Sequence, residues 1–344
     1  MDPFQVDVLQ FRASSYDIGF QIGKHLKNSP KLSIFKQIAK DNINVKEMEA
    51  ILRGFSPNLV EELKGIADGM NVPYEKACAL FSGYDVPKTE AMGCTSFATK
   101  EFYVRNYDFS PILYDGIFTF SQPATSFASA GFNLQLLGRH DGVNEKGLVA
   151  GLHFVSNNGY RKGIQSWVAV RMILETCSNV KEAINMLKEV PHAACYNFSL
   201  SDSNGQMVVV EASPEQVTIR NGEQHLSCEN HFKTEQMRNY NRKSMNNSIK
   251  RDAYFQSNNF IHYSQQMMFD HFRNPNSPLF FTEYEQLFGT LHTFSYRFQD
   301  SRLLISVARS DEILNLKMDE WVNGKNVVIK SLNGVIKPSL FKIK

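Results

Sequence analysis

The chain has 344 residues, enough for one large or two ordinary domains with a sizeable core. Its 37 Lys and Arg against 35 Asp and Glu leave a formal net charge of +2, which gives no pull toward nucleic acid or an anionic membrane. The five cysteines are an odd number without paired C-x-x-C spacing, so they read as free thiols in a reducing compartment and not as a disulfide framework or zinc finger.

In chain order, the opening MDPFQVDVLQFRASS shows no basic leader followed by an apolar stretch. No run of about 18 apolar residues follows anywhere, so a soluble, cytoplasmic protein without a membrane partner is expected. A strand is predicted over residues 6–11 and helices over 16–26 and 73–81. Between them Ser56 is placed to cap a helix with Pro57 in its first turn, and Leu59, Leu63, Ile66 and Met70 recur on one face. Near residue 90 the texture changes to short strands separated by turn signals: SFAT, FYVRNY, FTFSQP, NLQLLGRHDG, LVAGLHFV and FSLSDSNGQMVVVEAS. The last is a hairpin turning at Asn204 and Gly205. Two helices interrupt them, over 164–177 and 180–190, the second capped by Ser178 or Asn179. Strands, then helices, then strands predict an α+β layered fold without a regular βαβ repeat.

Candidate chemistry begins at Gly93-Cys94. A residue without Cβ permits the close approach that attack on its own carbonyl requires, while a buried strand thiol after a turn glycine is the plain alternative. Arg105 and Asp108 in VRNYDF form a surface ion pair or a polar cluster facing a site. Their spacing puts them on opposite faces of a regular strand, so a bend or turn is expected if both are to share the neighbourhood of Cys94. Gly151 in GVNEKGLVAGLHF admits a close neighbour or marks a bulge. Asn230 in CENHF is a side-chain donor or a turn asparagine. Ser248 and Arg251 lie three apart on a predicted helix, adjacent on one face, where a solvated arginine is the routine reading. The aromatic and Met-rich stretch 254–272 either lines an acyl pocket or forms a buried helix.

In order and content these stretches resemble the acyl-coenzyme A:isopenicillin N acyltransferase family, relatives of choloylglycine hydrolases and penicillin V acylases among the N-terminal nucleophile hydrolases. SYDIGFQIGKHL, GCTSFA, VRNYDF, GVNEKGLVAGLHF, NFSLSDSNGQMVVVEA, CENHF, NSIKR and GTLHTFSYRF carry the resemblance over nearly the whole chain. It implies a four-layer α-β-β-α sandwich forming one domain, with residues 1–93 as a mostly helical light chain packed on a catalytic chain of residues 94–344. It implies a zymogen that cuts its own Gly93-Cys94 bond, after which the freed α-amine of Cys94 takes the thiol proton. By the same resemblance Arg105 belongs beside Cys94, Asp108 orients the new amine, and Arg251 supports the nucleophile or transition state. Asn230 and the backbone N–H of Phe154, just after His153, are the implied oxyanion donors.

His153 departs from the asparagine often found there in the hydrolase branch, which leaves open any substrate contact that the asparagine makes. The long segment before Cys94 matches the acyltransferase branch. The implied substrate is a small acyl amide or acyl-coenzyme A, with hydrolysis placed slightly ahead of acyl transfer. No cofactor or metal is called for, since His225 and His231 lack H-E-x-x-H spacing. The competing readings are a non-catalytic binding protein on the same fold and a papain-like hydrolase with a Cys-His pair.

Overall fold

A computed structural model describes residues 2–27, 29, 31–88, 93–284 and 288–336. Ala91 and Met92, just before the Gly93-Cys94 bond, and the Lys-rich end beyond residue 336 lie outside the described residues. The chain opens with strand β1 (Asp2–Ala13) and helices α1 (Ser15–Leu26), α2 (Lys31–Ile38), α3 (Val45–Phe55), α4 (Asn58–Met70) and α5 (Tyr74–Phe81). Strands β2 (Gly93–Thr99), β3 (Phe102–Phe109), β4 (Ile117–Pro123), β5 (Ser129–Leu134), β6 (Gly138–Asn144) and β7 (Val149–Ser156) follow. After helices α6 (Ser166–Thr176) and α7 (Val180–Glu189) come β8 (Cys195–Ser201), β9 (Met207–Ala212), β10 (Val217–Asn221) and β11 (His225–Cys228). Helices α8 (Asn246–Ser257) and α9 (Gln265–Arg273) precede β12 (Thr282–Glu283), β13 (Phe288–Arg297), β14 (Arg302–Val307) and β15 (Leu314–Lys317). The short helix α10 (Met318–Val322) and β16 (Ser331–Ile336) complete the described chain.

Two sheets organise these elements. One runs β10-β9-β8-β7-β6-β5-β4-β1-β16, the other β11-β2-β3-β13-β14-β15 with β12 beside β13. Their inner faces meet: Tyr103 on β3 hydrogen-bonds Ser199 on β8, and Arg105 on β3 reaches Asp141 on β6 and Leu152 on β7. Helices α6 and α7 cover the outer face of the first sheet, and α9 packs on β3 and β13 of the second. This is the four-layer α-β-β-α order expected. The cause lies in β2 and β3, which are buried along their whole length and so need a cover on each face.

The local predictions hold in most places. Leu59, Leu63, Ile66 and Met70 all face the core of α4, Asn179 caps α7, and the β8-β9 hairpin turns at Gly205 with φ of 77°. Ser56 is a correction. Its hydroxyl makes no cap and instead donates to Glu175 Oε2 at 3.0 Å, because that carboxylate is buried and needs donors. The stretch 254–272 follows one of its two expected readings. Phe255, Phe260, Met268 and Phe272 close on Phe97 and Phe102 as core, so the buried-helix reading replaces the acyl pocket.

Residues on both sides of Gly93-Cys94 share one apolar cluster, and β1 is an internal strand, parallel to β4 and antiparallel to β16. Helix α4 also sends Glu62 into the interior, where Arg171 on α6 meets it at 2.6 Å and meets Glu175 at 2.7 Å, all three buried. Removing one partner of such a set strands a charge in a dry interior. Arg171→Ala should therefore lower stability in urea titration by about 3–5 kcal/mol, whereas Lys64→Ala at the exposed pair with Glu61 should change it by at most about 1 kcal/mol.

Candidate active site

The site follows from the pairing of β2 with β3. Their register sets Cys94 opposite Tyr107 and Ser96 opposite Arg105, so these four side chains share the inner face between the sheets. Gly93 opposite Asp108 and Thr95 opposite Asn106 share the outer face, toward α8 and α9. Arg105 and Asp108 thus do sit on opposite faces. The expected bend is absent from the β2-β3 register, since Asp108 reaches the Cys94 neighbourhood by lying across from Gly93, beside the Cys94 backbone and not its thiol.

On the inner face Arg105 Nη2 donates to Cys94 Sγ at 3.0 Å and to Leu152 O at 2.5 Å, while Nη1 donates to Asp141 Oδ2 at 2.5 Å. Gly151 makes the approach possible. A Cβ there would stand 2.5 Å from the Tyr103 hydroxyl and 2.8 Å from Arg105 Cδ, so the close-neighbour reading of this glycine is the right one and the nearest bulge falls later, between Phe154 and Ser156. Cys94 is wholly buried. Burial pushes its thiol up to about 11 although Arg105 pulls the other way, so in the intact chain the cation does not prevail and sulfur keeps its proton.

The backbone around Cys94 is held from the outer face. Cys94 N–H donates to Asn230 Oδ1 at 2.8 Å, and Asn230 Nδ2 donates to Phe154 O at 2.9 Å. Arg251 is no solvated arginine: Nη1 grips Cys94 O at 2.5 Å and the Thr95 hydroxyl, and Nη2 donates to Asn230 Oδ1 at 2.9 Å. One turn earlier on α8, Ser248 accepts from the Asn230 backbone N–H at 2.8 Å, which accounts for the Ser248 and Arg251 spacing. Asp108 takes a hydrogen bond from Thr290 at 2.6 Å and lies 4.0 Å from Arg251, but its buried Oδ2 has no hydrogen-bond partner among the described residues.

His153 is on the inner face with Ser199 at 2.9 Å and Ser96 at 3.4 Å from its Nε2. Burial, then Arg105, holds it well below the usual imidazole range, so it is neutral among hydroxyls. A papain-like pair gains no support, because Cys94 lies within strand β2 and the Nε2 hydrogen bonds of His153 go to serines. A cavity of about 600 Å³ opens onto Gly93, bordered by Arg242, Asn246, Asn247, Arg251 and Phe288. A Cβ on Gly93 would come within 2.4 Å of the Phe288 ring, so a side chain there would have to displace that ring.

The sequence model of the acyl-coenzyme A:6-aminopenicillanic acid acyl-transferase family matches residues 97–312, more than half of the chain. The chain belongs to this family. The match starts three residues after Cys94 and takes in Arg105, Asp108, His153, Phe154, Asn230 and Arg251. No curated protein matches. Among solved structures, a mutant of the conjugated bile acid hydrolase from Clostridium perfringens is similar at 15% identity over 67% of this chain and 93% of that one, with a TM-score of 0.45. Penicillin V acylase from Agrobacterium tumefaciens is similar at 13% identity over 66% and 86%, TM-score 0.39. A Caenorhabditis elegans ortholog of N-acylethanolamine-hydrolyzing acid amidase is similar at 10% identity over 60% and 93%, TM-score 0.41.

Sequence reasoning misses Asp141, His292 and Thr290. Asp141 passes within the strand stretch NLQLLGRHDG, and Thr290 and His292 pass within GTLHTFSYRF, none of them singled out. The available signal is an acid and a histidine inside segments that form buried strands.

Burial pushes Asp108 up to about 6 despite Arg251 and Thr290. The native chain then keeps a proton that the unfolded chain releases above its ordinary carboxyl value of 3.8, so stability falls as pH rises from about 4 to 6. At 1.36 kcal/mol for each tenfold change in acidity, that displacement amounts to about 3 kcal/mol. Asp108→Asn should flatten the slope and be more stable than the parent at pH 7, by up to about this amount, in urea titrations across pH. Parallel profiles for the two proteins would show that the Asp108 carboxyl is not raised.

Proposed function

We propose that this protein is an autoproteolytically activated cysteine amidohydrolase, with Cys94 as nucleophile, that passes an acyl group to water or to an amine. The observation that carries the reading is the conjunction at Cys94: sulfur against the Arg105 guanidinium, backbone nitrogen on Asn230 Oδ1, and a glycine on the scissile side.

Maturation comes first. The Cys94 sulfur adds to the Gly93 carbonyl carbon, the Gly93-Cys94 C–N bond breaks, and the nitrogen takes the thiol proton. Water then adds to the resulting thioester, the C–S bond breaks, and Gly93 leaves as a carboxylate while sulfur recovers a proton. The new α-amine, with an unperturbed pKa of about 8, is a base next to its own thiol near neutral pH. Asp108, across from Gly93, is placed to orient it, and Asn230 Oδ1 already accepts from that nitrogen.

Turnover repeats the sequence on a substrate. Sulfur attacks the acyl carbon, the amine or thiol leaves with the proton held by the α-amine, and water or an acceptor amine releases the acyl group. The tetrahedral oxyanion calls for fixed donors, a role we assign to the Asn230 amide and the Phe154 N–H, with Arg251 holding both Cys94 O and Asn230. Departure of Gly93 opens the cavity at the strand end to substrate, an acyl amide or acyl-coenzyme A. Water is the default acceptor, so hydrolysis stands ahead of transfer.

Residues 1–93 and 94–344 should remain together as light and heavy chain, because β1 and Glu62 are built into the interior of the rest. Among the described residues no helix is long and apolar enough to cross a membrane.

Denaturing gels of the purified protein should show fragments ending at Gly93 and starting at Cys94 that co-elute before denaturation. Cys94→Ala should give one full-length band. An uncut yet active parent would remove the internal-base mechanism. Acid quench during turnover should leave the acyl mass on Cys94, and label on Cys195 or Cys228 would contradict the nucleophile.

Asn230→Ala should lower kcat by about 100-fold to 1000-fold with little change in KM, because its donor is needed where charge develops. Normal turnover would confine Asn230 to holding the strand.

A further inference from the structure

Behind Arg105 lies a line of buried polar groups that the acyl-transfer scheme does not use. Tyr114 Oη is 2.7 Å from His292 Nδ1, His292 Nε2 is 2.8 Å from Asp141 Oδ2, and the same oxygen accepts from Arg105 Nη1. All four side chains are fully buried or nearly so. Their polarity is fixed by chemistry. Burial pushes Asp141 up, but His292 and Arg105 together pull it below the ordinary carboxylate value, so it is an anion that can only accept. His292, lowered by burial, is neutral, gives its Nε2 proton to Asp141 and accepts from Tyr114 at Nδ1. Its ring is clamped by a stack on Phe132 with centroids 3.6 Å apart.

A guanidinium is a planar fork, so fixing two of its bonds fixes the rest. Asp141 holds Nη1 and Leu152 O holds Nη2, which leaves the second Nη2 proton aimed at Cys94 Sγ. Among the described residues Arg105 Nε has no hydrogen-bond partner, so the hydrogen bonds that orient the head are those at Nη1 and Nη2. Around Cys94 the charges are Arg105 and Arg251, which favour thiolate, and Asp108 and Asp141, which oppose it, with neutral His153 and Tyr107 beside them.

We propose that Asp141 and His292 are positioning residues: Asp141, itself held by the Nε2–H of His292, turns the Arg105 guanidinium so that one proton faces Cys94 Sγ through maturation and turnover. The proposal rests on Cys94 being the nucleophile.

The test measures alkylation of Cys94 by iodoacetamide against pH in the full processed protein, located by peptide mapping, together with kcat and KM. Asp141→Asn keeps an acceptor for both donors and loses the charge that offsets Arg105, so its alkylation midpoint should fall by about half a pH unit or more. His292→Phe keeps the stack on Phe132 but loses the donor, and should lower kcat about tenfold at nearly constant KM. His292→Gln restores a side-chain N–H and should recover kcat to within about threefold of the parent. An unshifted midpoint in Asp141→Asn, with only its melting temperature lowered, overturns the proposal. If Asp141→Asn does not fold, the His292 pair decides: equal kcat for Phe and Gln overturns it. Turnover that survives Cys94→Ala would sink the nucleophile reading itself, whereas an unshifted profile in an enzyme silenced by Cys94→Ala sinks only the positioning.

Discussion

The contact between the Arg105 guanidinium and the Cys94 sulfur, closed off from water between two sheets, is the constraint to which the rest of this structure conforms. A guanidinium without hydration needs its charge matched and its N–H groups received. Asp141 supplies the charge and Leu152 O a second acceptor, and both come from the opposing sheet. The sheets can approach closely enough only where one side carries no Cβ. Gly151 is that point, and it is paired in register with Asp141, so the gap and the counter-ion come from adjacent strands.

The same burial explains why the thiol is quiet in the intact chain. Sulfur beside one arginine in water would lean toward thiolate; here desolvation outweighs the cation, and the carboxylates nearby oppose ionisation further. On the self-cleavage we propose, reactivity would come from the local geometry of Gly93-Cys94, where the carbonyl and the sulfur belong to neighbouring residues. Packing of residues 1–93 supports that geometry from a distance. With β1 inside one sheet and Glu62 locked to Arg171, the chain on either side of Gly93 is anchored independently of the bond between Gly93 and Cys94.

What the sequence reveals and what it hides divide along a physical line. Alternation in SFAT and FYVRNY exposes β2 and β3, the 3.6-residue recurrence of Leu59, Leu63, Ile66 and Met70 exposes α4, and Asn204-Gly205 exposes a hairpin, because each signal is local. The order of motifs brings out Cys94, Arg105, Asp108, Asn230 and Arg251, and the structure gathers all five around one strand end. Asp141 and His292 stay hidden because their meaning lies in a contact across about 150 positions of sequence, which no local pattern encodes. Ser56 misleads for the same reason. Its position looks like a cap, but a distant buried carboxylate, Glu175, has the stronger claim on its hydroxyl.

The two-residue period of β3 finally explains how one short strand can serve one residue in two ways. Cys94 offers a sulfur on the inner face and, on the cleavage we propose, a nitrogen at the strand end. Arg105 points inward to the sulfur, and Asp108, three positions later and so outward, lies opposite Gly93. A separation of two or four would have put both charges on the sulfur side, where the carboxylate would cancel the guanidinium at the thiol. The odd spacing instead divides them, cation toward the sulfur and carboxyl away from it. The N-terminal thiol we propose, with its own amine as base, would use that division, and β3 supplies it without any bend.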